Sequence, residues 1–307
     1  MWEKVKYALY RGALTPLAWL PRPLLYGIGS GVRVLLERVV GYRRDIIRRN
    51  LRNSFPEKTE AELRTIEHDF YCQLADNFVE TIMLLDMSDD EAARRIQFRG
   101  IDEVNACADA GKSVILYLGH YGNWEFAPRI SAVSSFDISA QVYKPLRDRA
   151  FDRLMLKVRS RFNPVSIPQK KVFRQLITWR NEGKRVITGF IADHRSNSKV
   201  SHHEMEFLNH RTQFNPGGEE IGARTGAEYF YLDCEKPSRG HYIFTFRKIV
   251  PSVPGEESPY TREYMRMLEA TIRRRPGLWL WSHRRWKWTD NAPARTDADG
   301  HAISQTN

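Results

Sequence analysis

Between residues 57 and 86 the apolar side chains Leu63, Ile66, Phe70, Leu74, Phe78 and Ile82 recur at three- and four-residue steps. That spacing predicts one helix with a single apolar stripe, and Thr59 with Glu62 resembles a capping box at its start. His68 lies off the stripe and reads as a surface histidine. Upstream, residues 8–41 form the most apolar long region, broken by Pro16, Pro21 and Pro23 and interrupted by Arg11, Arg22 and Arg33. No uninterrupted run reaches the roughly 18–20 apolar residues of a clear transmembrane helix, and no small-residue cleavage site marks a signal peptide. Two short hydrophobic helices split near Pro21–Pro23, lying at or in one membrane leaflet, fit this pattern better. A core hairpin with a solvated basic face is the plainer alternative.

Residues 113–119 are a short apolar run ending in glycine, the pattern of a buried strand. Downstream, extended and helical patterns alternate. Strands are predicted at 140–143, 163–167, 185–191, 228–232 and 241–247, and helices at 148–161, 170–182, 217–226 and 261–274; helices at 89–95 and 102–110 precede the first strand. Alternation of this kind predicts an α/β layer fold with a largely parallel sheet. The organisation expected is an N-terminal hydrophobic and basic segment (1–56), an α/β domain (57–288) and a disordered tail (289–307).

Chemistry collects where the predicted strands end. His120 follows Gly119 directly, and a carboxylate, Glu125, comes five positions later. That spacing lets Glu125 fold back onto one imidazole nitrogen and leave the other as a general base. Taken alone, a single histidine at a strand end is more often a hydrogen-bonded structural residue. A second strand end releases Asp193 and Arg195 in the run Ile191-Ala-Asp-His-Arg. A basic helix carries Arg159 and Arg161, preceded by Val142-Tyr-Lys-Pro. The segment from Trp279 to Trp288 sets Arg284, Arg285 and Lys287 among four tryptophans.

Composition narrows the partners. The 307 residues are 42% hydrophobic and carry a formal net charge of +11, so the chain folds and its partner or surface is anionic. Nucleic acid, anionic lipid and an acidic carrier protein all satisfy that charge. The first 60 residues hold 12 Lys/Arg against 5 Asp/Glu, and Arg43, Arg44, Arg48, Arg49 and Arg52 directly follow the apolar region, where an anionic lipid surface would hold them. Tryptophans interleaved with basic residues suit base stacking or a membrane interface, and guanidinium groups there suit sugar phosphates. The three cysteines are far apart and in no metal-ligand spacing, which argues for reduced thiols and against a disulfide frame or zinc. His202 and His203 beside Glu204 raise a metal, but adjacent strand residues face opposite ways, and a surface loop explains the pair better.

In order along the chain, His120-Tyr-Gly-Asn-Trp-Glu125, Val142-Tyr-Lys-Pro145 running into Arg159, Ile191-Ala-Asp193 and Trp281-Ser-His-Arg-Arg-Trp-Lys287 together resemble the late acyltransferases of lipid A biosynthesis. The segment Arg44–Pro56 and the apolar N-terminus resemble the same family. The resemblance implies a glycerolipid-acyltransferase-like α/β fold anchored on the cytoplasmic face of the inner membrane. It implies transfer of a fatty acyl chain, from acyl carrier protein or acyl-coenzyme A, to a hydroxyl of a lipid A precursor, with no cofactor and no metal. His120 and Glu125 match the family's catalytic pair, and Arg159 and Asp193 its conserved arginine and aspartate; Arg284, Arg285 and Lys287 are expected to support substrate. Ala192 stands where the family often has proline, and the segment His202–Arg211 departs from its usual pattern.

Rival readings keep other acceptors or other classes. The same chemistry on another glycolipid or aminolipid is the nearest. A basic nucleic-acid-binding protein leaves the apolar first 41 residues unexplained, and a metal-dependent hydrolase using His120 with His202 and His203 lacks a ligand pattern.

Overall fold

The computed structural model describes residues 2–194 and 203–286. Two helices open the chain, α1 (Trp2–Ala18) and α2 (Arg22–Val34), separated at Pro21 as the prolines dictate. Then come α3 (Arg44–Ser54), α4 (Glu60–Met83), α5 (Asp89–Arg95), strand β1 (Ile96–Arg99), α6 (Ile101–Asp109) and β2 (Val114–Leu118). The second half runs β3 (Ile138–Tyr143), α7 (Arg149–Arg159), β4 (Val165–Pro168), α8 (Val172–Asn181), β5 (Val186–Ile191), β6 (Glu204–Phe207), β7 (His210–Gln213), α9 (Gly217–Thr225), β8 (Glu228–Ser238), β9 (His241–Lys248) and α10 (Pro259–Arg274).

Seven of these strands form one sheet in the order β1-β9-β8-β2-β5-β3-β4. From β8 to β4 every neighbour is parallel; β9 runs antiparallel to β8 and parallel to β1. The fold is therefore mixed α/β with a largely parallel sheet between helices. Every residue of β2 is buried, as a central strand covered on both faces requires. The pairing of β2 with β5 ends at Leu118 and Ile191, which brings the residues after both strands to one edge of the sheet. The hairpin β6–β7 stands apart as a two-stranded sheet.

The helix expected over 57–86 forms, capped reciprocally by Thr59 and Glu62. Its buried face has drifted from the predicted stripe: Phe78 is 49% exposed, whereas the polar Gln73, Asp76 and Glu80 are buried. The reason is a polar network against β8 and β9. Lys236 Nζ donates to Gln73 Oε1 (2.7 Å) and Asp76 Oδ2 (2.8 Å), and Tyr242 OH donates to Glu80 Oε2 (2.9 Å).

At the N-terminus no described helix is long and apolar enough to cross a membrane. Yet ten of the seventeen large hydrophobic side chains exposed among the described residues lie in the first 40, with Trp2, Leu9, Trp19 and Val39 each at least 65% exposed. The arginines that follow are mostly committed inside the protein. Arg43 donates to the Ser282 carbonyl (2.9 Å), Arg44 to the Glu37 carbonyl, Arg48 pairs with Glu67 (2.8 Å) and Arg52 with Glu60 (2.7 Å). Of the five, Arg49 has no such partner among the described residues, so a free basic stripe over 43–52 is not what the helix presents. The expected tail over 289–307 lies outside the described residues.

Candidate active site

The loop after β2 is shaped by two glycines. A side chain on Gly119 would come within 2.7 Å of Leu268 Cδ1 on α10, and Gly122 has φ of 61° with Cys234 Sγ 2.7 Å from where its Cβ would lie. Glycine therefore lets the backbone lie flat against α10 and β8 and then turn in the left-handed region. Asn123 fixes the turn: its Oδ1 accepts from the Glu125 N–H (3.1 Å) and its Nδ2 donates to the buried Glu80 Oε2 (2.8 Å). From α4, Asn77 donates to the Gly122 carbonyl (2.9 Å). A 3-10 segment, Trp124–Ala132, follows where a helix over 124–130 was expected.

This geometry sends Glu125 away from His120. Its two oxygens accept from Arg159 at the end of α7, Nη2 at 2.6 Å and Nε at 2.8 Å. Burial lowers the Arg159 pKa, but the Glu125 carboxylate more than offsets this and raises it. The imidazole contact that the spacing assigned to Glu125 is made instead by Asp193, just past the end of β5. His120 Nδ1 donates to Asp193 Oδ1 (2.7 Å), and Asp193 Oδ2 accepts from the His120 backbone N–H (2.9 Å) and from Trp279 Nε1 (2.8 Å). Burial would raise the pKa of fully buried Asp193, but the charge and hydrogen bond of His120, together with the indole donor, hold it well below the usual carboxylate range. An ionised carboxylate only accepts, so His120 carries its proton on Nδ1 and leaves the Nε2 lone pair as a base.

Sequence reasoning missed two histidines. His194, directly after Asp193, stacks on His120 with ring centroids 3.6 Å apart and planes 7° apart. His283 stacks on the other face of His194 at 3.9 Å and 13°. Both stood inside quoted motifs, but nothing in the spacing shows that 73 and 163 residues downstream their rings return to one place. The segment holding His283 is gripped by α3, where Asn50 Nδ2 donates to the carbonyls of Trp281 (2.8 Å) and His283 (3.0 Å).

The tryptophan-rich segment is not a stacking surface. Trp279, Trp281 and Trp286 are all buried, and Arg285 with them, its Nη2 donating to the Gln213 carbonyl (2.7 Å). Burial brings the Arg285 guanidinium down to about 10. Arg285 is thus not offered to a phosphate, whereas Arg284 is exposed. Lys287, Trp288, Arg195 and His202 lie outside the described residues, and His203 pairs with Glu257 (3.3 Å) away from His120.

His120, Asp193 and His194 each place a ligating atom within 4.8 Å of the others. As a metal centre the trio is poorly arranged: the lone pairs of parallel stacked rings run side by side instead of converging, and Asp193 already accepts three hydrogen bonds.

His120, Glu125, Arg159, His194 and His283 all line one cavity of about 790 Å³, within the usual range of small-molecule sites. Its floor is apolar and comes from adjacent strands: Leu116 and Leu118 of β2, Ala140 and Val142 of β3, Ile187 and Gly189 of β5. A base backed by a carboxylate, opening onto a long apolar pocket, suits proton abstraction from a substrate with a hydrocarbon part. A family model of the bacterial lipid A biosynthesis acyltransferases matches residues 2–288. The chain belongs to that family. It is an acyltransferase of lipid A biosynthesis. It is similar to the lipid A biosynthesis lauroyltransferase of Escherichia coli (strain K12), 24% identical over 278 residues, 90% of this chain and 89% of that protein. It is also similar to the palmitoleoyltransferase of the same organism and to a lipid A biosynthesis acyltransferase of Shigella flexneri, each 21% identical over 277 residues, 90% of this chain and 89% of either relative. In this acyltransferase the resemblance carried by the ordered motifs thus extends from α1 to the last tryptophans.

Proposed function

We propose that the protein transfers a fatty acyl chain from an acyl thioester, carried by acyl carrier protein, to a hydroxyl of a lipid A precursor. His120 Nε2 removes the hydroxyl proton as the oxygen attacks the thioester carbonyl carbon. A C–O bond forms, the C–S bond breaks, and the proton passes through the imidazole to the departing thiolate. Asp193 holds the tautomer and stabilises the imidazolium, a role worth several orders of magnitude in rate in other His–Asp pairs. No acyl-enzyme is required, since no described serine or cysteine stands beside His120 as nucleophile.

The observation that carries this reading is the His120–Asp193 pair opening onto the strand-floored apolar cavity. The acyl chain lies on Leu116, Leu118, Val142 and Ile187, and the Glu125–Arg159 pair forms the polar wall beside it. The exposed tryptophans and aliphatic side chains of α1 and α2 support docking on the cytoplasmic face of the inner membrane, where the acceptor lipid is found. A direct test is acyl transfer to a lipid A precursor by purified wild-type protein and His120→Ala, with acyl carrier protein and coenzyme A thioesters compared as donors. A fall of at least a hundredfold in kcat is expected for His120→Ala. Wild-type turnover by that variant, with its fold intact, would overturn the assignment.

A further inference from the structure

Acyl transfer of this kind builds negative charge on the thioester carbonyl oxygen, and some group has to receive it. Two sources suggest themselves near His120, and both are occupied. The His120 N–H is spent on Asp193 (2.9 Å) and the Gly122 N–H on the Leu278 carbonyl (3.0 Å). Both arms of the Arg159 fork are spent on Glu125. His194 remains. It lines the same cavity, and its Nε2 is buried with no hydrogen-bond partner, a condition that buried polar groups rarely tolerate without a functional reason.

We propose that His194 is a second catalytic residue, whose imidazole N–H hydrogen-bonds the thioester carbonyl oxygen and stabilises the oxyanion beside His120. The inference rests on the acyl-transfer reading above. The stack supplies the geometry: a ring nitrogen of His194 lies within 4.8 Å of one of His120, so base and donor address two oxygens bonded to the same carbon. His283 closes the far face and holds the ring parallel. The groups facing His194 also keep it uncharged. Burial, then His120, His283 and Arg285, disfavour its protonation, and Asp193 opposes them only in part. An uncharged imidazole donates a hydrogen bond without competing as a base for the hydroxyl proton.

The experiment is a set of variants assayed with an acyl-carrier thioester and a lipid A precursor. His194→Phe keeps an aromatic ring between His120 and His283 but has no N–H. Its kcat should fall about 10²–10³-fold, with KM for the thioester within threefold and an unchanged urea midpoint. A second pair guards against misfolding: His194→Asn retains an N–H donor and His194→Leu, of similar shape, does not, and Asn should turn over at least tenfold faster. Equal rates for that pair, or a His194→Phe kcat within threefold of wild type, overturn the proposal. His120→Ala is measured alongside. If it is inactive while His194→Phe is fully active, only the oxyanion role fails; if it too is active, the acyl-transfer reading itself fails.

Discussion

Glu125 gives both carboxylate oxygens to Arg159 and none to His120. The pair is shielded, with side-chain exposures of 10% and 21%, and it walls the cavity. Removing one partner leaves a largely buried charge unmatched, which typically costs about 3–5 kcal/mol, whereas replacing both by uncharged groups of similar volume is often nearly neutral. Arg159→Met should therefore lower the unfolding free energy in urea by an amount of that order. Adding Glu125→Gln to it should restore most of the loss. A double variant no more stable than Arg159→Met would show that the two side chains do not act as a pair.

Asp193 is the residue on which the imidazole depends. Asp193→Asn preserves size and allows the Trp279 contact, but its amide can donate to Nδ1 and so favours the wrong tautomer. A loss of about 10⁴ in kcat is expected, the effect of such a change in a His–Asp pair, with little change in thermal midpoint. Activity within tenfold of wild type would mean that the carboxylate does not set the imidazole proton.

How much of this could be read along the chain follows from which contacts are local. The capping box at Thr59 and Glu62 and the buried run of β2 are short-range patterns, and both appear where the residues place them. The short edge strand β1 and the polar hairpin β6–β7 carry no such pattern, because four-residue strands at an edge need little apolar alternation. The His120–Asp193 contact spans 73 residues and depends on β2 and β5 being neighbours, which sequence spacing cannot show. The His-x-x-x-x-Glu spacing misled for a definite reason: Asn123, bound to Glu80, turns the backbone into a 3-10 segment that points Glu125 at α7. Tryptophan beside arginine reads alike on a surface and in a core, and here the core used it.

Gly189 offers a handle on the acyl chain. It sits at mid-strand on the cavity floor, and a Cβ there would meet nothing closer than 3.8 Å, so a larger side chain would extend into the cavity instead of clashing with its walls. A methylene lost from or gained by an apolar pocket is worth about 10–200-fold in discrimination. Gly189→Leu should therefore shift preference toward shorter acyl chains by at least tenfold. Competition among acyl-carrier thioesters of different chain length measures this directly, and an unchanged chain-length profile would place the hydrocarbon elsewhere.

The exposed apolar side chains of α1 and α2 should bind a bilayer. Fully burying one large apolar side chain is worth about 1.5–3 kcal/mol. Replacing Trp2, Leu9 and Trp19 by serine should thus weaken co-sedimentation with phospholipid vesicles by at least tenfold, leaving thermal stability unchanged, since all three are mostly exposed. Equal vesicle binding by the triple variant would separate these residues from any membrane contact.

The histidine stack also makes stability depend on pH. His194 has its folded pKa depressed, first by burial and then by His120, His283 and Arg285, against the partial opposition of Asp193. The unfolded chain takes up a proton at this residue near pH 6.5, its ordinary value, and the folded chain does not. The contribution of His194 is then complete above that pH and is lost progressively as pH falls below it. For one such group the slope is about 1.4 kcal/mol per pH unit. Urea unfolding from pH 7.5 down to 5.0 should show the wild type losing stability, and His194→Phe losing less by up to that slope. Parallel pH curves for the two proteins would mean that the ring accepts its proton in the folded state, and that the three stacked imidazoles do not keep His194 uncharged.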